Sequence, residues 1–226
     1  MNGAVLVTGA AGALGHAVVA ELRSRGLTVV ALDRPSAALD KLGAQDGVHP
    51  VPVELADRTA VRAAFGEVDA LATPSALIAL AGGFVPGKLA DLDENSLDSL
   101  WRSNVVSLLW CSQEAAPRMA AAGGGAIVTV GSKTAVGGQA PLAHALSKSA
   151  VVRATELLAD ELRPQGIRVN CVLPSVIDTP ANRSWMSPDL AARAVAPAAI
   201  AKVIAFLIGP DAAPISGARV PVYGDS

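Results

Sequence analysis

Aromatic side chains are scarce in this 226-residue chain: three Phe, three Trp and a single Tyr, 3% in all. A core built without large rings must be made of small aliphatic residues. The chain supplies them, being 51% hydrophobic and rich in Ala, Val and Leu. There are two cysteines, Cys111 and Cys171. They fall in a helix-like and a strand-like segment, with no His or carboxylate at short spacing. That excludes a disulfide scaffold and leaves no candidate metal ligands. An excess of charge is missing too: 18 Lys and Arg stand against 20 Asp and Glu, net -2. No basic field for nucleic acid and no charged tail follow from that balance. No apolar run is long enough to cross a bilayer, so no membrane partner is expected. Met1-Asn2-Gly3 passes straight into a strand-like run without a basic, cleavable leader, and the expected location is the cytoplasm.

What is present is alternation. Strand-like runs are expected over Ala4–Thr8, Thr28–Leu32, Val51–Leu55, Leu77–Ala81, Ala126–Val130, Arg168–Leu173 and Ala218–Val222. Helical patterns separate them: Ala13–Arg25, a short helix capped by Asp57 that carries Val61 and Phe65, Asp93–Met119, Pro141–Leu162 and Pro197–Ile208. Strands alternating with helices predict an α/β fold, a doubly wound and mostly seven-stranded parallel sheet in a three-layer α/β/α arrangement. No repeat or linker interrupts the pattern, so residues 1–226 read as one domain. Pro174–Pro197, rich in turn-forming residues, carries a short helix at best.

The first unit carries the chemistry. Thr8-Gly9-Ala10-Ala11-Gly12-Ala13-Leu14-Gly15 lies between a strand and a helix, where glycines let the backbone approach a pyrophosphate met by the helix N-terminus. Asp33 ends the next strand, at the distance where an acid binds the adenosine ribose hydroxyls. Strand, glycines, helix, strand and acid together point to a nicotinamide dinucleotide. A carboxylate repels a ribose 2′-phosphate, which favours NAD. Arg34, next in the chain, leaves NADP open.

These motifs, taken in order, resemble the short-chain dehydrogenase/reductase family. The resemblance rests on Thr-Gly-x-x-Gly-x-Leu-Gly from Thr8, Ala81-Gly82, Asn104, Ile127-Val128-Thr129-Val130-Gly131-Ser132, Ser147-Lys148 and Arg168-Val169-Asn170-Cys171-Val172-Leu173-Pro174. Ala81-Gly82-Gly83 and Pro221-Val222-Tyr223-Gly224 look most like its dihydropteridine-reductase-like branch. The resemblance implies a dinucleotide site formed by Gly9, Ala11, Gly12, Leu14, Gly15, Asp33, Arg34, Glu54, Leu55, Ala81, Gly82, Lys148, Pro174, Ile177 and Thr179. It implies Ser132, Lys148 and Asn104 as catalytic residues, a substrate lid at about 175–197, and a homodimer or homotetramer formed through the two long helices. Trp185 and Met186 in the lid point to a partly hydrophobic small-molecule substrate.

One departure matters more than the matches. The family places a Tyr four residues before the Lys; here that position is His144, and the only tyrosine is Tyr223. His144 and Lys148 are one helical turn apart, so both can face one cleft. The nearby cation should keep the imidazole neutral, and a neutral imidazole can still polarise a carbonyl by donating a hydrogen bond. The leading expectation is an NAD(P)-dependent oxidoreductase acting on a carbonyl or alcohol. Two alternatives stand beside it: a non-redox enzyme catalysing elimination, isomerisation or cyclisation on the same scaffold, and a silent cofactor-binding homologue. Glu54, where the family has an Asp at the adenine, and Ala79-Leu80, in place of an Asn pair, are further departures.

Overall fold

The computed structural model describes residues 3–225; Met1 and Asn2, included in the reading of the N-terminus, lie outside them. Among the described residues seven strands form one sheet: β1 (Ala4–Thr8), β2 (Val29–Asp33), β3 (Val48–Pro52), β4 (Pro74–Ala79), β5 (Gly125–Val130), β6 (Ile167–Pro174) and β7 (Arg219–Val222). Their order is β3-β2-β1-β4-β5-β6-β7 and every pairing is parallel. The direction of winding reverses between β1 and β4. Crossovers that leave on opposite sides there open a crevice at the carboxyl ends of these two strands.

Helices α1 (Ala13–Ser24), α2 (Ala37–Gly43) and α3 (Arg58–Leu71) belong to the first half of the chain. They are followed by α4 (Glu94–Trp101), α5 (Ser107–Ala121), α6 (Leu142–Leu162), α7 (Pro180–Arg183), α8 (Pro188–Arg193) and α9 (Pro197–Ile208). Val18 and Leu22 of α1 pack with Ile200 and Ile204 of α9 on one sheet face. Phe65 of α3, Cys111, Ala115 and Met119 of α5 and Leu162 of α6 cover the other. The three layers and the parallel sheet are as expected.

Several boundaries are not. The third strand lies at Val48–Pro52 rather than Val51–Leu55. Prolines normally argue against a strand, but Pro50 and Pro52 sit at alternate positions of an edge strand, where no amide hydrogen is needed on the open side. Val53 already leaves the strand, its N–H donating to the Asp33 carbonyl at 2.7 Å. The fourth strand starts earlier, at Pro74, and ends at Ala79, so Leu80 and Ala81 belong to the following loop. Helix α2, absent from the sequence reading, is a seven-residue helix capped by the Ser36 side chain, too short to show a period. The segment after β6 holds two short helices, α7 and α8, capped by Thr179 and Ser187. The long helix expected at Asp93–Met119 is α4 and α5 joined through a π-helical turn, Arg102–Val106, with Asn104 inside it.

Candidate active site

The crevice begins at the loop after β1. Gly9 has φ +65°, and a Cβ there would come within 2.8 Å of the Ala81 backbone nitrogen. The same loop is tied to the end of β4 by the Ala81 N–H, which donates to Thr8 Oγ1 at 3.2 Å. A Cβ on Gly15 would lie 2.3 Å from the Gly9 carbonyl oxygen, so only glycine lets α1 pack this close to its own entry loop. Gly12 is different. As the N-cap of α1 it brings no side chain to the first-turn amides, and a Cβ there would meet only the Gly9 carbonyl. The helix N-terminus is therefore open to an anion.

Asp33 stands at the tip of β2. Its Oδ2 accepts from the Ala11 N–H at 2.9 Å and its Oδ1 from the Arg34 N–H at 2.8 Å, tying the glycine loop to the second strand. Leu14 packs partly buried against the core, and Leu55 is buried. Glu54 and Arg34 are exposed; Glu54 Oε1 accepts from the Ala56 N–H at 3.2 Å. On the far side of the crevice, Pro174 closes β6 and Ile177 pairs with Val195 in an isolated bridge. Thr179 Oγ1 accepts from the Asn182 N–H at 3.1 Å.

Two of the catalytic candidates, Asn104 and Lys148, meet below Gly82. A Cβ on that glycine would lie 2.5 Å from Asn104 Oδ1 and 3.4 Å from Lys148 Nζ. The π-helical turn aims Asn104 inward, where Oδ1 accepts from the Gly83 N–H at 2.8 Å and Nδ2 donates to Ser147 Oγ at 2.9 Å. Ser147 in turn donates to the His144 carbonyl at 2.9 Å. Lys148 is only 9% exposed, and its Nζ donates to the Val130 carbonyl at 2.8 Å. Burial pushes its pKa down from 10.5 to about 8. Ser132 engages its own turn: Oγ accepts from the Thr134 N–H at 3.2 Å and lies 2.7 Å from Thr134 Oγ1.

His144, in the first turn of α6, meets the Phe84 ring edge-on with centroids 5.0 Å apart. Its Nδ1 is buried and has no hydrogen-bond partner among the described residues. Desolvation, followed by the Lys148 charge, pushes its pKa from 6.5 to about 4, so the ring is neutral at pH 7. Sequence reasoning missed Ser147, Phe84, Thr134 and the Val130 carbonyl. Ser147 and Val130 stood inside quoted motifs; Phe84 and Thr134 show only once the loops after β4 and β5 are placed over α6.

A doubly wound parallel sheet with an open glycine turn at its switch point defines a Rossmann-type α/β protein. Within that class the chain belongs to the short-chain dehydrogenase family, whose model matches residues 3–189. It is 31% identical to meso-2,3-butanediol dehydrogenase of Serratia marcescens over 99% of this chain and 94% of that protein. To L-xylulose reductase of Mus musculus it is 36% identical over 82% of this chain and 77% of that one. A double mutant of a Serratia marcescens short-chain dehydrogenase/reductase superposes with a TM-score of 0.89, 28% identity and coverage of 98% and 96%. A structure titled ribose-5-phosphate isomerase, from Brucella melitensis, superposes with a TM-score of 0.92, 28% identity and coverage of 100% and 93%. The protein is an oxidoreductase by family. Among the described residues no helix is long and apolar enough to cross a membrane.

Proposed function

We propose that this protein is a nicotinamide-dinucleotide-dependent oxidoreductase of the cytoplasm, reducing a carbonyl or oxidising an alcohol of a small, partly hydrophobic molecule. His144 takes the place of the usual tyrosine. The observation that carries the reading is the buried Lys148 ammonium, gathered with Asn104 under Gly82 at the switch point. The residues fit a dinucleotide. Gly12 and the open first turn of α1 would receive the pyrophosphate, Asp33 the adenosine ribose, Lys148 the nicotinamide ribose, and Thr179 with Ile177 the carboxamide side. Arg34, Glu54 and Leu55 would border the adenine. When bound, the nicotinamide supplies hydride to the substrate carbon or removes it. His144 and Ser132 would hold the substrate oxygen, and the Thr134 hydroxyl would keep the Ser132 Oγ in place.

NAD is favoured over NADP, since the Asp33 carboxylate at the end of β2 would repel a ribose 2′-phosphate. The chain would form one domain, with residues 175–197 as the substrate lid. Trp185 in that lid is 53% exposed, which supports a contact with substrate rather than a core role. Butanediol, sugar and sugar-alcohol relatives support a small oxygenated substrate.

The test is turnover with NADH or NADPH against vicinal diketones, ketopentoses and aryl ketones. Loss of nicotinamide absorbance is expected, with NADH faster by about tenfold, the effect of one unfavourable charge contact. A wild-type protein that is inactive, while His144→Tyr turns over, would remove the histidine from this role. A non-redox isomerase reading draws on the isomerase-titled neighbour; it predicts product without any change in nicotinamide absorbance.

A further inference from the structure

We infer that His144 is a fixed hydrogen-bond donor to the substrate oxygen, held as the Nε2–H tautomer, and that the group giving up and regaining a proton during turnover is Lys148. This division of labour rests on the oxidoreductase reading above and adds to it a source for the proton.

The tautomer follows from the two ring nitrogens. Nδ1 is buried with nothing to bond to. A proton placed there would be an orphaned N–H out of water, a costlier state than a bare lone pair. Nε2 is not buried in that way and bonds to no protein atom among the described residues, so it opens to the cleft, where a substrate oxygen or water can accept its proton. A second proton is opposed from every side. The ring occupies the first turn of α6, where the helix dipole disfavours a cation. Lys148 lies one turn further along the same helix, and the Phe84 ring from the loop after β4 excludes water. A neutral imidazole donating Nε2–H polarises a carbonyl but is a far weaker acid than the Lys148 ammonium, so the net proton comes from the ammonium.

Lys148 has the complementary properties. It is a buried ammonium with one protein acceptor, the Val130 carbonyl, and it has no carboxylate among its electrostatic partners. The titratable groups facing it are His144 from α6 and the Cys171 thiol from β6; Gly82 and Asn104 bring no charge. The balance for reduction is simple. A bound reduced dinucleotide would supply hydride to the carbonyl carbon, Lys148 would supply the proton to the oxygen, and the amine would be recharged from solvent. Oxidation runs the same exchange backwards, with the neutral amine as acceptor.

Ring 15N NMR of the cofactor-free protein reads the first half without any turnover, with His16 and His49 as references. The expected result is a protonated Nε2 and bare Nδ1 for His144, unchanged between about pH 5.5 and 9. A proton on Nδ1, or titration near the ordinary histidine value, overturns it. For the second half, Lys148 13C resonances should titrate near pH 8 in the same sample. Carbonyl reduction should fall tenfold per pH unit above about pH 8 and oxidation should rise to a plateau there. His144→Gln, which still donates but cannot titrate, should be slower with its break at the same pH. A break that vanishes in His144→Gln assigns the proton to the histidine and sinks the proposal. Absence of redox turnover with every carbonyl would instead defeat the oxidoreductase reading and Lys148 as proton source, while the NMR result still judges the tautomer.

Discussion

An ammonium taken out of water with a single carbonyl for company is a burden on the fold, and Lys148 carries it. The fall of its pKa from 10.5 to about 8 corresponds to about 3 kcal/mol of lost stability wherever the folded lysine is charged. Lys148→Met removes the charge but leaves the Val130 carbonyl unpaired, which returns part of the gain. The variant should therefore be more stable than the wild type by about 1–2 kcal/mol at pH 7, and inactive. Because the folded pKa lies below the unfolded one, the penalty is complete below pH 8 and fades between about 8 and 10.5. Denaturant melts at pH 7 and pH 10.5 check both points: the gap between variant and wild type should close at the higher pH. A less stable Lys148→Met at pH 7 would mean that the lysine stabilises the empty site. His144 works in the same sense. Its folded pKa of about 4 lies below the ordinary 6.5, so its contribution is intact above 6.5 and is lost as pH falls towards 4.

At the scale of elements, legibility followed amphipathic period and turn chemistry. Strand β1, the glycine loop and α1 could be read because each local signal agrees: an all-buried strand, glycines where a Cβ would collide with backbone, and apolar residues at helical spacing in α1. The lid segment, α2 and the ends of β3 and β4 were harder, since prolines and short capped helices depend on their place in the sheet rather than on periodicity. The π-helical turn at Arg102–Val106 lies beyond any sequence pattern. Asn104 was recognisable as a site residue by family motif, yet its partner Ser147 emerges only when α4–α5 and α6 are packed together. The same holds for Phe84, a loop residue whose contact with His144 arises from tertiary packing.

On the scale of the whole molecule, two features extend beyond one chain's crevice. Leu109 on α5 and Leu146 and Leu157 on α6 are 39%, 56% and 52% exposed, with Leu97 and Trp101 exposed on α4. Exposed apolar side chains on these helices are what the homodimer or homotetramer expected from the family resemblance would cover. Light scattering should return a multiple of the chain mass, and Leu109→Glu with Leu157→Glu should shift it to the monomer; a wild-type monomer at micromolar concentration would exclude the assembly. The second feature is the alignment of the glycine turn, Asp33, Lys148 and His144 along the carboxyl edge of one sheet. On the proposed oxidoreductase reading, that alignment serves hydride transfer across the cleft. It is read most directly by supplying NADH in which both hydrogens of the hydride-bearing ring carbon are deuterium, together with the carbonyl that the protein turns over, and locating the label by mass spectrometry. One deuterium on the new carbinol carbon, matched mole for mole by oxidised dinucleotide, is the expected result; product free of deuterium, or formed without dinucleotide oxidation, would contradict it.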